Sequence, residues 1–527
     1  DQGPTAARPD AAGAAPRPPN IVLILADDLG YNDISLHSQR LADTPGGMPL
    51  TPNIDTLASA GVQFTHGYAA HSSCAPSRAA LLSGRYGTRF GFEFTPIPNA
   101  MGRIVSTLHD RDPRNLHPMY RPPEVADESP LPFQEMVMPG SEITLAEVLQ
   151  ARGYHTVHIG KWHLGDTPAA RPRAQGFDES LDMASGKYLP DDDPQSVNAY
   201  QPFDPIDQFL WANFRHAARW DGGSRFRPNG YLTDYFTDEA VAAIAANRHR
   251  PFFLYLAHWA PHTPLQALKA DYDALANITD HRTRVYAAMI RALDRSVGRV
   301  MSALAARGLD RNTLVIFTSD NGGAGYIGLP DINRPFRGWK LTFFEGGIRV
   351  PFLMRWPDAI PAGTRVADPV HHFDIFATAA AAAGAELPGD REIDGVNLLP
   401  WATHSAVSDT DNSSDTRSDA GLDKPPHEAL FWRNGHYQAV RSGRWKLQRA
   451  DRPSTTWLYD LANDPTEQRN LATDEPARVA ALTARLDRHN AGQAAPAWPS
   501  LGELPVLIDK TLADVQRPED AYVYAPN

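Results

Sequence analysis

One cysteine, Cys74, stands in a chain of 527 residues. Its isolation excludes an intrachain disulfide and a cysteine-built zinc cluster. Basic residues are in the minority: Lys+Arg 50 against Asp+Glu 62, a formal net charge of -12. That balance argues against a general nucleic-acid binder, whose footprint is a net positive field. Long apolar runs are missing as well. The longest, residues 21–26 and the alanines at 379–383, fall well short of the roughly 20 residues of a membrane span. The chain opens on Asp1 rather than methionine, which fits a trimmed chain or, the reading favoured here, the mature form of an exported protein, periplasmic or secreted. What remains is globular. Hydrophobic residues make up 42% and charged residues 21%, enough to bury a sizeable core. Gly 38 and Pro 46 point to a loop-rich protein. The length suits two or three units, or one large domain with a smaller partner.

Residues 1–18 are rich in Ala, Pro and Gly without a period and read as a flexible tail. Short apolar runs follow at 20–25, 155–159, 252–256, 313–317 and 350–354. Runs without alternation fit strands buried on both faces. Between them, Thr144 and Glu147 form a capping box, 51–61 reads as a short helix closed by Gly61, Thr237 opens a helix to about 247, and 282–307 is a longer amphipathic one. Strands alternating with helices predict an α/β sandwich around a large, mainly parallel sheet. Residues 19–401 are expected to form this large α/β domain. Residues 402–426 are rich in Ser, Asp and Thr and read as a linker or exposed loop. Residues 427–527 hold three short strands, at 429–432, 437–441 and 445–449, and a helix at 475–492, a small C-terminal α+β unit. Two Pro- and Asp-rich insertions, 93–140 and 191–229, are too long for simple connections and read as rim or lid loops.

The informative residues come directly after the strands. The first strand leads into Asp27-Asp28-Leu29-Gly30, the second into Lys161 and His163, the third into His258 and His262, the fourth into Asp320-Asn321. Ligands of α/β sheets bind outside the carboxyl ends of the strands. A polar residue at one strand end is usually a turn former, but four such clusters point to one site. Asp27, Asp28, Asp320 and Asn321 are hard oxygen donors, a set that suits Ca²⁺ or Mg²⁺. Three crowded carboxylates repel without a cation. His258 reads as a packed neighbour, and His155 and His158, inside a strand, as structural. Spacing alone leaves Lys340 a solvated loop lysine.

Cys74 sits in Ser73-Cys74-Ala75-Pro76-Ser77-Arg78, with Leu82-Ser83-Gly84-Arg85 behind it. A bare thiol near an arginine could be a nucleophile or a buried filler. The flanks, however, closely resemble the signature of the type I sulfatases. Further blocks in family order resemble it too: Asp27-Asp28-Leu29-Gly30, Thr51-Pro52-Asn53, Gly160-Lys161-Trp162-His163, Pro261-His262, Ser319-Asp320-Asn321-Gly322 and Gly338-Trp339-Lys340. The resemblance runs from about residue 19 to 472 and is greatest to the arylsulfatase B group.

The resemblance implies an alkaline-phosphatase-like α/β fold and a sulfatase that hydrolyses sulfate monoesters, aryl sulfates or sulfated carbohydrates. Cys74 would be oxidised by a modifying enzyme to formylglycine, whose hydrate attacks sulfur to form a covalent sulfo-enzyme intermediate. One Ca²⁺ would lie on Asp27, Asp28, Asp320 and Asn321. Arg78 and Lys161 would position the aldehyde hydrate, and His163 would promote elimination. His262 and Lys340 would contact the sulfate and protonate the leaving oxygen, with Ser185 as an extra sulfate contact. Two other readings share the scaffold: a phosphonate or phosphate ester hydrolase, and an inactive binding protein. The ligand set looks complete for one metal, and no catalytic position of the family is lost. Tyr188, Phe209, Trp211 and Trp220 could stack on a substrate ring, but packing within the insertions is the favoured reading.

Overall fold

The first apolar run, Asn20–Ala26, is buried along its whole length because the sheet it joins is covered on both faces. The structure is a computed structural model that describes residues 17–37, 50–123, 131–404 and 424–527. Its central sheet contains β1 (Asn20–Ala26), β2 (Val62–Phe64), β3 (His155–Gly160), β4 (Glu179–Gly186), β5 (His216–Trp220), β6 (Phe252–Ala257), β7 (Thr313–Ser319), β8 (Phe352–Arg355) and β9 (Thr364–Val366). The order across the sheet is β9-β2-β8-β7-β1-β6-β3-β4-β5. The five strands from β7 to β4 are mutually parallel. β8 and β5 flank them antiparallel.

Alternate residues of β1 face two separate cores. Val22, Ile24 and Ala26 pack under α1 (Pro52–Ser59), and under α6 (Leu232–Ala246) and α7 (His281–Ala305). Ile21, Leu23 and Leu25 face α2 (Cys74–Ser83), α4 (Leu145–Ala151) and α8 (Asp374–Ala383). The result is the predicted α/β sandwich with a mainly parallel sheet. Each insertion carries one helix, α3 (Asn99–Arg111) in the first and α5 (Pro205–Asn213) in the second. These two helices pack on each other, so the insertions are partly helical rather than plain loops.

Local signals held at some places and moved at others. Thr144 caps α4 as expected, its hydroxyl accepting from the Glu147 amide while Glu147 accepts from the Thr144 amide. α6 begins at Leu232, five residues before the expected Thr237. The Thr237 hydroxyl donates to the Thr233 carbonyl at 2.6 Å, an interior helix bond instead of a cap. α1 ends before Gly61, and that glycine is required by close approach: a Cβ there would lie 2.1 Å from the Met354 carbonyl of β8.

The C-terminal unit is an antiparallel meander of β10 (Ala429–Asn434), β11 (Tyr437–Ser442), β12 (Trp445–Asp451) and β13 (Ser454–Asp460), backed by α9 (Pro476–Ala491). The sequence reading missed β13. A hairpin of β14 (Glu503–Leu507) and β15 (Tyr522–Pro526) completes the unit. Of the linker expected at 402–426, residues 402 and 403 finish the helix Leu399–Thr403 and 405–423 lie outside the described residues, as do residues 1–16 of the expected tail. No helix among the described residues is long and apolar enough to cross a membrane.

Candidate active site

The carboxyl ends of β1, β3, β6 and β7 meet over the N-terminus of α2. Cys74 is the first residue of that helix, and Arg78 lies one turn later on the same face. Pro76 costs the helix little because the first turn has no intrahelical amide bonds to lose. Gly84, in the left-handed conformation at φ 70°, ends it. Arg78 is fully buried and uses its guanidinium as a bracket. Its Nε donates to Asp320 at 2.9 Å, one Nη to the Lys161 carbonyl at 2.8 Å, and the other to Asp27 at 3.2 Å.

Lys161 reaches Asp27 at 2.6 Å and lies 4.6 Å from the centre of the Trp259 ring. The preceding Gly160 makes this possible. Its φ is 114°, and a Cβ would come within 1.9 Å of the Ala257 carbonyl. Lys340, from the loop before Glu345, donates to Asp28 at 2.9 Å and to the Cys74 sulfur at 3.1 Å, and stands 3.4 Å from His262 Nε2. Cys74 Sγ is 3.5 Å from Asp27 Oδ1 and 3.8 Å from Asp28 Oδ1. The structure thus raises Lys340 from a solvated loop lysine to a buried member of the site.

Asp27, Asp28, Cys74 and His262 bring one donor atom each to within 4.8 Å of one another. Asp320 joins through Oδ1, which accepts from the Asp28 amide at 3.2 Å. Asn321 donates through Nδ2 to Asp28 at 2.7 Å, which leaves its Oδ1 buried without a partner. An orphaned amide oxygen beside three carboxylates is costly unless something positive meets it. The donors fit a hard divalent cation. Without one, burial and the neighbouring Asp320 push Asp27 up to about 7, against Lys161 and Arg78. Burial also raises Asp28, but Lys340, His262 and Lys161 outweigh it and hold that carboxyl well below the usual range.

His262 is fixed by stacking on Trp259, with ring centres 3.9 Å apart, and by Nδ1 donating to the Thr263 carbonyl at 2.6 Å. A carbonyl only accepts, so Nδ1 carries the proton and Nε2 faces Lys340 as an acceptor in the neutral ring. Burial keeps the ring from charging. His163 has positive φ, 64°, and a buried Nδ1 without a partner. Burial and then the cations Lys161 and Arg78 hold it neutral.

Ser185 lies further out, on β4 in the cavity wall, where its hydroxyl accepts from the Arg215 amide at 2.7 Å. His258 is buried against Ser296 of α7 at 2.8 Å, the packing role expected of it. His158 bonds Ser180, and His155 meets Glu179, both as structural residues. Tyr188 packs, its hydroxyl bracing the Trp259 and His262 carbonyls, whereas Phe209 faces the cavity. Trp211 is tilted against Tyr200, and Trp220 is exposed at the end of β5. Sequence reasoning missed Trp259 and Tyr326, whose hydroxyl donates to Asp28 at 3.1 Å. Trp259 lies inside the noted His258 to His262 block; nothing local marks Tyr326.

Above Cys74 opens a cavity of about 730 Å³, with Lys161, His163, His262 and Lys340 on its floor. Two lysines and two histidines on one cavity floor, paired with a buried cluster of carboxylates, have the composition of a polar reaction centre rather than of core packing. The sulfatase family model matches residues 19–385, and a second, the C-terminal region of N-sulphoglucosamine sulphohydrolase, matches 338–491. The chain is 36% identical to N-acetylgalactosamine-6-sulfatase of Mus musculus over 442 residues, 82% of this chain and 72% of the relative. It is 35% identical to steryl-sulfatase of Mus musculus over 508 residues, 84% of this chain and 72% of the relative. Among solved structures it resembles Ps i-CgsB in complex with k-i-k-neocarrahexaose, at TM-score 0.71 and 30% identity, covering 92% of this chain and 95% of that one. The chain belongs to the sulfatase family and is a sulfuric ester hydrolase.

Proposed function

We propose that the protein cleaves sulfate monoesters through Cys74 matured to formylglycine, with one Ca²⁺ on Asp27, Asp28, Asp320 and Asn321. The observation that carries this is the position of the Cys74 sulfur. It heads α2, 3.1 Å from Lys340 Nζ and 3.5 Å from Asp27 Oδ1, and opens into the cavity. Oxidised by a modifying enzyme, position 74 supplies a hydrated carbonyl as nucleophile, and a bound cation supplies positive charge against the sulfate oxygens.

The chain's own side chains do the rest. Arg78 and Lys161 fix Asp27, so the carboxylates keep their places under mutual repulsion. Lys340, with three donors, delivers the proton that the departing alkoxide needs. The neutral His262, whose Nε2 accepts, orients that ammonium, a narrower role than a shared acid. His163, neutral with a free Nδ1, takes the proton whose loss releases sulfate. Ser185 acts on the substrate only through the outer wall.

The test is specific activity against aldehyde content. Peptide mass spectrometry of residue 74 across preparations should show turnover of an aryl sulfate rising in proportion to the aldehyde fraction. Equal turnover by fully thiol-bearing protein would sink the mechanism. Aryl phosphate and aryl phosphonate serve as controls, and faster turnover of either would favour the ester-hydrolase alternative.

A further inference from the structure

The cavity changes character with height. Its floor is ionic, but the wall above, built mainly by the two insertions with β4 and the stretch leading into β14 beside them, is mainly carbon. α3 presents Met101 and Val105, one turn apart. Facing them stand Phe209 and Leu210 of α5, with Phe214 just beyond it. Phe133 completes the wall and is 40% exposed, unusual for a phenylalanine that only packs.

The polar side chains of this wall are largely engaged with the protein itself. Arg219 is tied to Asp166 at 2.6 Å and Asp182 at 3.2 Å. Asn213 donates to the Phe209 carbonyl and Ser106 to the Gly102 carbonyl. Ser185 accepts from the Arg215 amide. Arg225 and Gln134 supply polar contact beyond these. A sugar ring entering this wall would lose water from its hydroxyls and regain few hydrogen bonds, a net cost. An apolar ring would shed unfavourable hydration and meet matching surface.

We infer that the alcohol carried by the natural sulfate ester is bulky and mainly apolar, a fused-ring or long-chain alcohol rather than a sugar. The inference rests on the sulfatase reading and adds the substrate class to it. The floor takes the sulfate, and α3 and α5 take the carbon body, the surface on which substrate choice depends.

The experiment uses aldehyde-verified protein and three probes: 4-nitrophenyl sulfate, a steroid 3-sulfate and galactose 6-sulfate. The steroid ester should exceed the sugar ester in kcat/KM by tenfold or more, chiefly through a lower KM. Phe209→Ala should cut the steroid-to-sugar ratio about tenfold, the scale of one missing apolar contact in a pocket. Met101→Lys, at a partly exposed position, should cut it further and guards against a variant that fails to fold. A sugar ester turned over as well as the steroid ester, or a ratio unmoved by both substitutions, would overturn the inference while leaving the sulfatase reading intact. Failure to turn over even 4-nitrophenyl sulfate would overturn the formylglycine reading, and this inference with it.

Discussion

Lys446 offers a test of how the C-terminal unit supports the site. It lies on β12, fully buried, and its ammonium reaches Glu345 at 2.8 Å and Glu467 at 3.0 Å. Glu345 ends the loop that carries Lys340, and its amide donates to Glu467 at 2.6 Å. Tyr68, Arg349 and Arg441 also face Glu345, while Gln448 and Arg337 meet Glu467. Burial, opposed by Lys446 and reinforced by Glu345, pushes Glu467 up from an ordinary 4.5 to about 7. Burial acts on Glu345 too, but Lys446, Arg349 and Arg441 overcome it and hold that group at about 2. Between about pH 4.5 and 7 the folded state therefore binds the extra proton at Glu467, and that group's contribution to stability falls as pH rises. Glu345 acts oppositely, with stability gained as pH rises from about 2 to 4.5. Lys446→Met keeps the volume and removes the charge. At pH 8 it leaves two buried carboxylates without their shared cation, a loss of about 3–5 kcal/mol. At pH 5, where Glu467 is already protonated, the loss should be smaller. Urea unfolding at both pH values measures it, and kcat should fall because the Lys340 loop loses its anchor. A loss under about 1 kcal/mol at pH 8, or an equal loss at both, would refute the argument.

Asp320→Ala should release both the Arg78 bracket and a metal donor; divalent-ion content after gel filtration should drop along with activity, and unchanged content would remove Asp320 from the ligand set. Lys340→Met should slow alkyl sulfates more than nitrophenyl sulfates, since poor leaving groups need the proton most. A rate loss equal across leaving groups would assign Lys340 to sulfate binding instead. Thr144→Ala should cost about 1 kcal/mol through the lost cap, read by urea unfolding, and leave kcat alone. No change in stability there would mean that the α4 cap is redundant with its packing.

The legible part of this molecule was the part written locally. Apolar runs at 20–25 and 313–317 became buried parallel strands because a sheet covered on both faces favours apolar side chains on both. The flanks of Cys74 were legible as a motif, but the helix Cys74–Ser83 that sets Cys74 and Arg78 on one face was not. The polar residues after each strand were legible as a site because parallel strands share a carboxyl edge. Other boundaries misled for equally local reasons. Thr237 has a cap's chemistry but spends its hydroxyl inside α6. Gly61 looked like a helix stop but answers to the carbonyl of β8, some 290 positions away in the chain.

From sequence alone came the fold class, the strand-end clusters and, through the resemblance, the family. Tertiary structure alone decided which of those residues touch. Lys340 meets Asp28 across 312 positions, a contact no window of sequence can encode. The orphaned oxygen of Asn321, the proton held on His262 Nδ1 and the Lys446 anchor under the Lys340 loop are likewise products of packing. Two Pro-rich insertions became one apolar wall because α3 and α5 found each other in space. Backbone preference and periodicity act over a few residues, whereas burial, charge pairing and cavity shape depend on the sum of distant neighbours. The chemistry at the strand ends was therefore readable from the chain, and the shape that selects a substrate was not.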